Sequence, residues 1–348
     1  MNYVDVIRDN IANSSPVPWW PKFAYHYTNI TNAVRILEMG RLYSRAKAEQ
    51  LGIMSNDNAS RQVIDMTNAD AKQNVRFYFR PLTPTQYHNE GYKHPLIRYQ
   101  NDLYANCPVP IFFVFDLPKL LSMPGVTFSE TSRAGFGSSE YSTVDEFAKF
   151  DFKRIYGNGP MANPDQEKAF RQAELSHPSP MEIDSCLRSV LCRNEFEQSM
   201  LLAMLKAISF KVYKKYQPII KVCKQNMFQC NGLYVENCIY HDNILSIIFS
   251  NTSAKRAYIQ RYIAKHESIS LTPLTARLDL DWMKGTARDS EVIFHASAVV
   301  PVDYENAKSI NFRLPLIRNS KLLRISLYID EDLMCYKEQL LDEATTVL

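Results

Sequence analysis

Val75, Phe77 and Phe79 alternate with Arg76, Tyr78 and Arg80, which predicts a strand with one face on a core. The other face sets one aromatic ring between two cations, a combination suited to an aromatic ligand and phosphates. Pro81 and Pro84 then stop the strand and stiffen its exit. Upstream, Phe23, Tyr25 and Tyr27 alternate with Ala24, His26 and Thr28, so His26 has small neighbours on its own face. A helix follows, with Ile30, Val34 and Leu37 as its apolar stripe, Asn29 or Thr31 as its cap and Gly40 as its end. Residues 44–74 are polar and weakly patterned and read as a loop with a helix, long enough to cover a site.

Downstream, residues 108–116 (PVPIFFVFD) predict a strongly apolar strand, and a short helix is expected around Lys119 to Ser122. Ser129 to Ser142, with Gly135 and Gly137, reads as a loop. One amphipathic helix is expected over Asp145 to Tyr156 and another from Glu195 to about Tyr216. Beyond Tyr216, alternation in Val292 to Val302, Ile310 to Leu316 and Leu323 to Ile329 predicts strands. This change of texture places a domain boundary near Ser209 to Pro218, with units over 1–210 and 211–348 and an α+β C-terminal part. The chain shows no internal repeat.

Charge adds little to this picture in bulk. Forty Lys and Arg against 37 Asp and Glu leave +3 on 348 residues, so the total does not announce a nucleic-acid binder. Its distribution is uneven: Lys206 to Lys265 holds ten basic residues against Glu236 and Asp242. Such a run is a solvated surface more often than a phosphate track or a docking face for an acidic partner. Val4 to Ile11 is broken by Asp5, Arg8 and Asp9, so no secretory signal is expected, nor a membrane span, and the location expected is cytoplasmic. Seven cysteines at uneven spacings, including Cys223, Cys230 and Cys238, form no zinc pattern and read as reduced thiols without a metal.

Three ordered motifs carry the functional reading. They are His26-Tyr27-Thr28, then Phe77-Tyr78-Phe79 with Pro81, Pro84 and Tyr87, then Gln172-Ala173-Glu174. Together they resemble the DarT family of toxin ADP-ribosyltransferases, over about residues 20–205. The resemblance implies an ADP-ribosyltransferase-like split β-sheet core with helices, followed by a smaller strand-rich C-terminal domain. It implies NAD+ as substrate, single-stranded DNA or RNA as acceptor, and an antitoxin protein as partner, in a toxin–antitoxin anti-phage system. It also implies that His26, Tyr27, Thr28, Tyr78, Tyr87 and Arg61 line the NAD+ site, with Glu174 and Arg61 catalytic.

Chemistry gives those positions their expected roles. Breaking the nicotinamide–ribose bond passes through a cationic, oxocarbenium-like state, as in glycoside cleavage. His26 is expected to bind a ribose hydroxyl, Tyr78 to stack on nicotinamide, and Arg61 to contact phosphate or polarise the base. Arg45 is an alternative to Arg61. Glu174 is expected to stabilise the cation and take the proton of the modified base. Its rival is Glu291, which also precedes an apolar strand, and its bland reading is a solvated glutamate at a helix end. Trp20 and Tyr87 are candidate stacking surfaces for bases. Thr85-Gln86 stands where the family commonly has Met-Leu, which puts the acceptor base or sugar in question. The alternatives are a protein acceptor, NAD+ hydrolysis, and a binding module without catalysis.

Overall fold

A computed structural model describes residues 1–13, 17–54, 72–98, 105–133, 139–159, 163–264, 270–286 and 290–341. The strands of the first part, numbered along the chain, are β1 Phe23–Asn29, β2 Arg41–Leu42, β3 Asn74–Tyr78, β4 Pro110–Asp116, β5 Thr127–Ser129, β6 Glu174–Pro178, β7 Met181–Glu182, β8 Leu187–Cys192 and β9 Ile220–Val222. Seven of them form one mixed sheet in the order β5-β6-β3-β1-β4-β8-β9, and β2 pairs with β7. Only the β8–β9 pair of the seven is parallel.

The apolar alternation is met where it was clearest. Val75, Phe77 and Phe79 are buried, and so is β4 from Pro110 to Phe115, which pairs with β1 along its whole length. The helix Ile30–Met39 buries Ile30, Ala33, Val34 and Leu37 and ends on Gly40 at φ 66°. That left-handed C-cap is one that residues with a Cβ adopt poorly.

Two expected helices are broken by local capping. The one over Asp145 to Tyr156 is two short helices, Val144–Phe147 and Phe152–Ile155, because the Asp151 carboxylate accepts from the Arg154 N–H and starts a new turn. The other breaks at Ser209, whose hydroxyl accepts from the Val212 N–H between the helices Glu195–Ile208 and Phe210–Tyr216.

The second part carries β10 Val235–His241, β11 Ile244–Phe249, β12 Leu274–Met283, β13 Val292–Val302, β14 Ser309–Arg313, β15 Leu322–Ile329 and β16 Asp332–Leu340. They form two antiparallel sheets, β10-β11-β14 and β13-β12-β15-β16. The chain is thus α+β, with a mixed-sheet core and a separate strand-rich region. β9 lies beyond the boundary expected at 210/211 and still pairs with β8, so the first sheet draws on residues up to Val222.

The two regions are joined by buried polar contacts. Glu90 accepts from the N–H groups of Gln229 and Cys230, Lys93 donates to Asn231 at 2.6 Å, and Asn106 donates to Asp332 at 2.7 Å. Arg193 pairs with Glu197 and lies 3.6 Å from the centre of the Tyr234 ring. Among the described residues, no helix is long and apolar enough to cross a membrane.

Candidate active site

The site forms where the first sheet opens. β1 and β3 share a single ladder pair, Tyr25 with Tyr78, and then separate. Past that pair the His26 ring, not the backbone, reaches the Arg76 carbonyl, with Nδ1 at 3.0 Å. A carbonyl only accepts, so Nδ1 carries the proton and Nε2 of the neutral ring is an acceptor. Burial lowers the pKa of His26, and the bond to Arg76 offsets this only in part. Phe77 and Phe113 meet the imidazole edge-on, at 6.0 and 6.3 Å between ring centres.

Glu174 opens β6 directly opposite Tyr78. It is not a solvated helix end: the helix closes at Phe170, and the Glu174 side chain is 0% exposed. Arg76 grips it from β3, with Nε donating to Oε2 at 2.6 Å and Nη2 donating to Oε1 at 2.8 Å. The Arg133 N–H adds a third bond, to Oε1 at 2.5 Å. The Arg133 guanidinium is itself held by Ser176 at 2.6 Å and Glu140 at 2.8 Å. Burial on its own would lower the pKa of Arg76, but the charge and hydrogen bonds of the Glu174 carboxylate hold it above the usual arginine value. Arg76 keeps 28% of its side chain exposed, so the pair can be approached from its side.

The Tyr78 hydroxyl is hydrogen-bonded to Thr85, and burial raises its pKa while the positive charges of Arg76 and Arg45 act against the rise. Thr85 also donates to Gln172, at 3.2 Å, two residues before Glu174. Arg45 is the first residue of the helix Arg45–Gln50, capped by Ser44, and its charge reaches Tyr78. Arg61 lies outside the described residues.

Other expected positions take different places. Tyr27 packs on Phe112, 5.1 Å between ring centres, and its hydroxyl turns toward the Cys107 thiol. Thr28 accepts from Asn32 at 3.3 Å. Tyr87 faces the helix Ser253–Ile263, under Arg261 at 5.5 Å and beside Tyr258 at 5.3 Å. Trp20 is buried, so it offers no platform to a base.

Arg80 leaves the face expected for it. β3 ends at Tyr78, and Arg80 turns inward to donate to the carbonyls of Pro81 and Ile155 beneath Trp20. Gln86 is also structural: it accepts from the Leu82 N–H and donates to Glu90 and Met227, each at 2.7 Å. Glu291 is exposed, pairs with Lys284 and lies just before β13 in the second part. The basic run is no single face either, since Lys255 is buried on the carbonyls of Ser250 and Tyr304. Among the described residues, no group of three or more His, Cys, Asp or Glu could hold a metal ion.

Sequence reasoning missed Arg76 and Arg133 as partners of Glu174. Arg76 carried a signal, its place on the Tyr78 face of the strand. Arg133 carried none.

The described chain is an α+β protein whose mixed sheet sets a buried carboxylate–guanidinium pair beside a tyrosine, with a histidine on the neighbouring strand bonded to the Arg76 carbonyl. A family model described as "ssDNA thymidine ADP-ribosyltransferase, DarT" matches residues 25–216, more than half of the chain. The chain belongs to the DarT family.

Among solved structures it is similar to Thermus sp. 2.9 DarT in complex with ADP-ribosylated ssDNA, at 17% identity and TM-score 0.48, over 61% of this chain and 97% of that one. It is also similar to the Thermus sp. 2.9 DarT complex with carba-NAD+, at 16% identity and TM-score 0.46, over 60% and 98%. Thermosipho africanus DarTG in complex with ADP-ribose is similar at 14% identity and TM-score 0.45, over 64% of this chain and 54% of that one. No curated protein matches.

Proposed function

We propose that this chain transfers ADP-ribose from NAD+ to a base of single-stranded nucleic acid, as the toxin of a toxin–antitoxin pair directed against phage. The observation that carries the reading is the Glu174 carboxylate, wholly buried opposite Tyr78 and fixed by Arg76 and Arg133. The family description names single-stranded DNA and thymidine, which favours DNA among single strands. Thr85, hydrogen-bonded to Tyr78 at the site, is the residue here best placed to alter that choice. RNA, whose unpaired bases are equally accessible, is the other acceptor.

NAD+ supplies an ADP-ribosyl group on an activated glycosidic bond. When that bond breaks, nicotinamide leaves with the bonding electrons and positive charge develops on the ribosyl carbon. Glu174 stabilises that charge, and Tyr78 gives the nicotinamide ring a stacking surface. His26 accepts a ribose hydroxyl at Nε2. A base nitrogen then bonds to the ribosyl carbon and passes its proton to Glu174. Oε1 already accepts two hydrogen bonds and Oε2 only one, so the proton arrives on the remaining lone pair of Oε2.

Glu174→Gln keeps the shape of the side chain and removes its charge. The expected result is loss of transfer by at least a hundredfold, with the far-ultraviolet circular dichroism spectrum unchanged. Transfer at the parent rate would remove Glu174 from the reaction. Label found on protein with none on oligonucleotide would turn the acceptor assignment to a protein side chain.

A further inference from the structure

Sheet edges expose unpaired N–H and C=O groups, and folded proteins protect them by shortness, charge, proline or cover. Most edges here follow that rule. The seven-stranded sheet ends on β5 and β9, three residues each. The sheet β10-β11-β14 ends on strands carrying Glu236 and Arg313. β16, at one end of the last sheet, carries Asp332, Lys337 and Glu338. β13, at the other end, is long and uncharged and has only Pro301, next to its last residue, as protection.

β13 is 11 residues long, VIFHASAVVPV, without a single Lys, Arg, Asp or Glu. One side is held by β12 in continuous register from Leu274–Val302 to Trp282–Phe294. Among the described residues no strand pairs with its other side. Large apolar side chains stand in solvent along it: Val292 is 45% exposed, Phe294 42% and Val299 67%.

The strand is also close to self-complementary. A two-fold axis through Ser297 in an antiparallel pair sets Ala296 opposite Ala298 of the second copy, His295 opposite Val299 and Phe294 opposite Val300. Small residues meet at the centre and larger ones beside it, each pair shares one face, and no like charges come together. We propose that β13 is an interface through which two copies of this chain pair edge to edge, joining two four-stranded sheets into one of eight. This inference does not depend on the reaction proposed above.

Sedimentation velocity of the full chain over a wide dilution series tests it. The expected result is twice the chain mass at high concentration, falling to the chain mass on dilution. Val299→Lys, on a side chain already in solvent, is expected to weaken the dimer at least tenfold and to leave the melting temperature of the dilute chain unchanged. Val299→Thr, which keeps a strand-favouring residue, is expected to preserve it. Hydrogen exchange is expected to slow, as the dimer forms, at those amides of residues 293–299 that point away from β12. A chain mass that never rises would overturn the proposal. So would a dimer indifferent to Val299→Lys, or an edge covered only by a different protein.

Discussion

Arg76 and Glu174 lie 98 residues apart in the chain and meet because Tyr78 is in register with Glu174. Removing one partner of a buried, hydrogen-bonded ion pair costs about 3–5 kcal/mol, mostly as an uncompensated charge. Arg76→Ala is therefore expected to lower the melting temperature. Glu174 also loses two of the three hydrogen bonds that fix it, so kcat is expected to fall at least tenfold. Arg76→Lys keeps a positive charge and is expected to restore part of both properties. A kcat identical to that of the parent chain would show that Arg76 does not position Glu174.

His26 gives a pH dependence. Its folded pKa lies below the ordinary 6.5, so as pH falls the unfolded chain takes up this proton first. Stability is therefore expected to be flat above that value and to decline from about 6.5 downward, until the folded ring is protonated as well. Urea unfolding from neutral pH to about 5 checks this against His26→Gln, which should lose that part of the slope. At this scale the sequence brought out single candidate residues but not which of them meet. Tyr78 was legible from alternation and Glu174 from the order of the motifs. The Arg76 pairing depends on a strand register that no local pattern contains.

The strand-exit segment shows where alternation stops being a guide. Leu82 stands at φ 58°, a left-handed turn, and the Gln86 side chain holds its N–H. The chain therefore leaves β3 by a turn that buries Arg80, although a continued strand would have kept Arg80 beside Tyr78. Thr85 and Gln86, adjacent in sequence, face different tasks across this turn. Thr85→Val is expected to leave stability nearly unchanged and to shift the preference among oligonucleotide acceptors, read as a change in relative kcat/KM. Gln86→Ala leaves buried groups without partners, each costing about 1–3 kcal/mol, and is expected to lower the denaturation midpoint. The reverse pattern, a stable Gln86→Ala and an unfolded Thr85→Val, would contradict these assignments.

Across the whole molecule, the strand-rich region is bonded into the first sheet's surroundings and does not hang from a linker. Tyr92 pairs with Leu233, Arg98 reaches Asp330 at 3.5 Å, and the Glu90 carboxylate caps the N–H groups of Gln229 and Cys230. A chain cut after residue 210 loses β9 and the partners of Glu90, Lys93 and Tyr92. It is expected to be insoluble or to lack a cooperative melting transition, whereas a folded 1–210 fragment would contradict that expectation. The change of texture after Tyr216 precedes both β9 and the first strand of the strand-rich region, β10 at Val235. It could not show that β9 returns to the first sheet, because three residues carry too little periodicity to assign a partner.

The proposed reaction moves ADP-ribose onto a single strand at the opening between β1 and β3. Incubation of the full chain with labelled NAD+ and matched single-stranded DNA, duplex DNA and RNA oligonucleotides tests it most directly. Label is expected on single-stranded oligonucleotide, with none on duplex DNA and none on any strand with Glu174→Gln. Label on protein alone, or NAD+ cleaved with no oligonucleotide labelled, would contradict it.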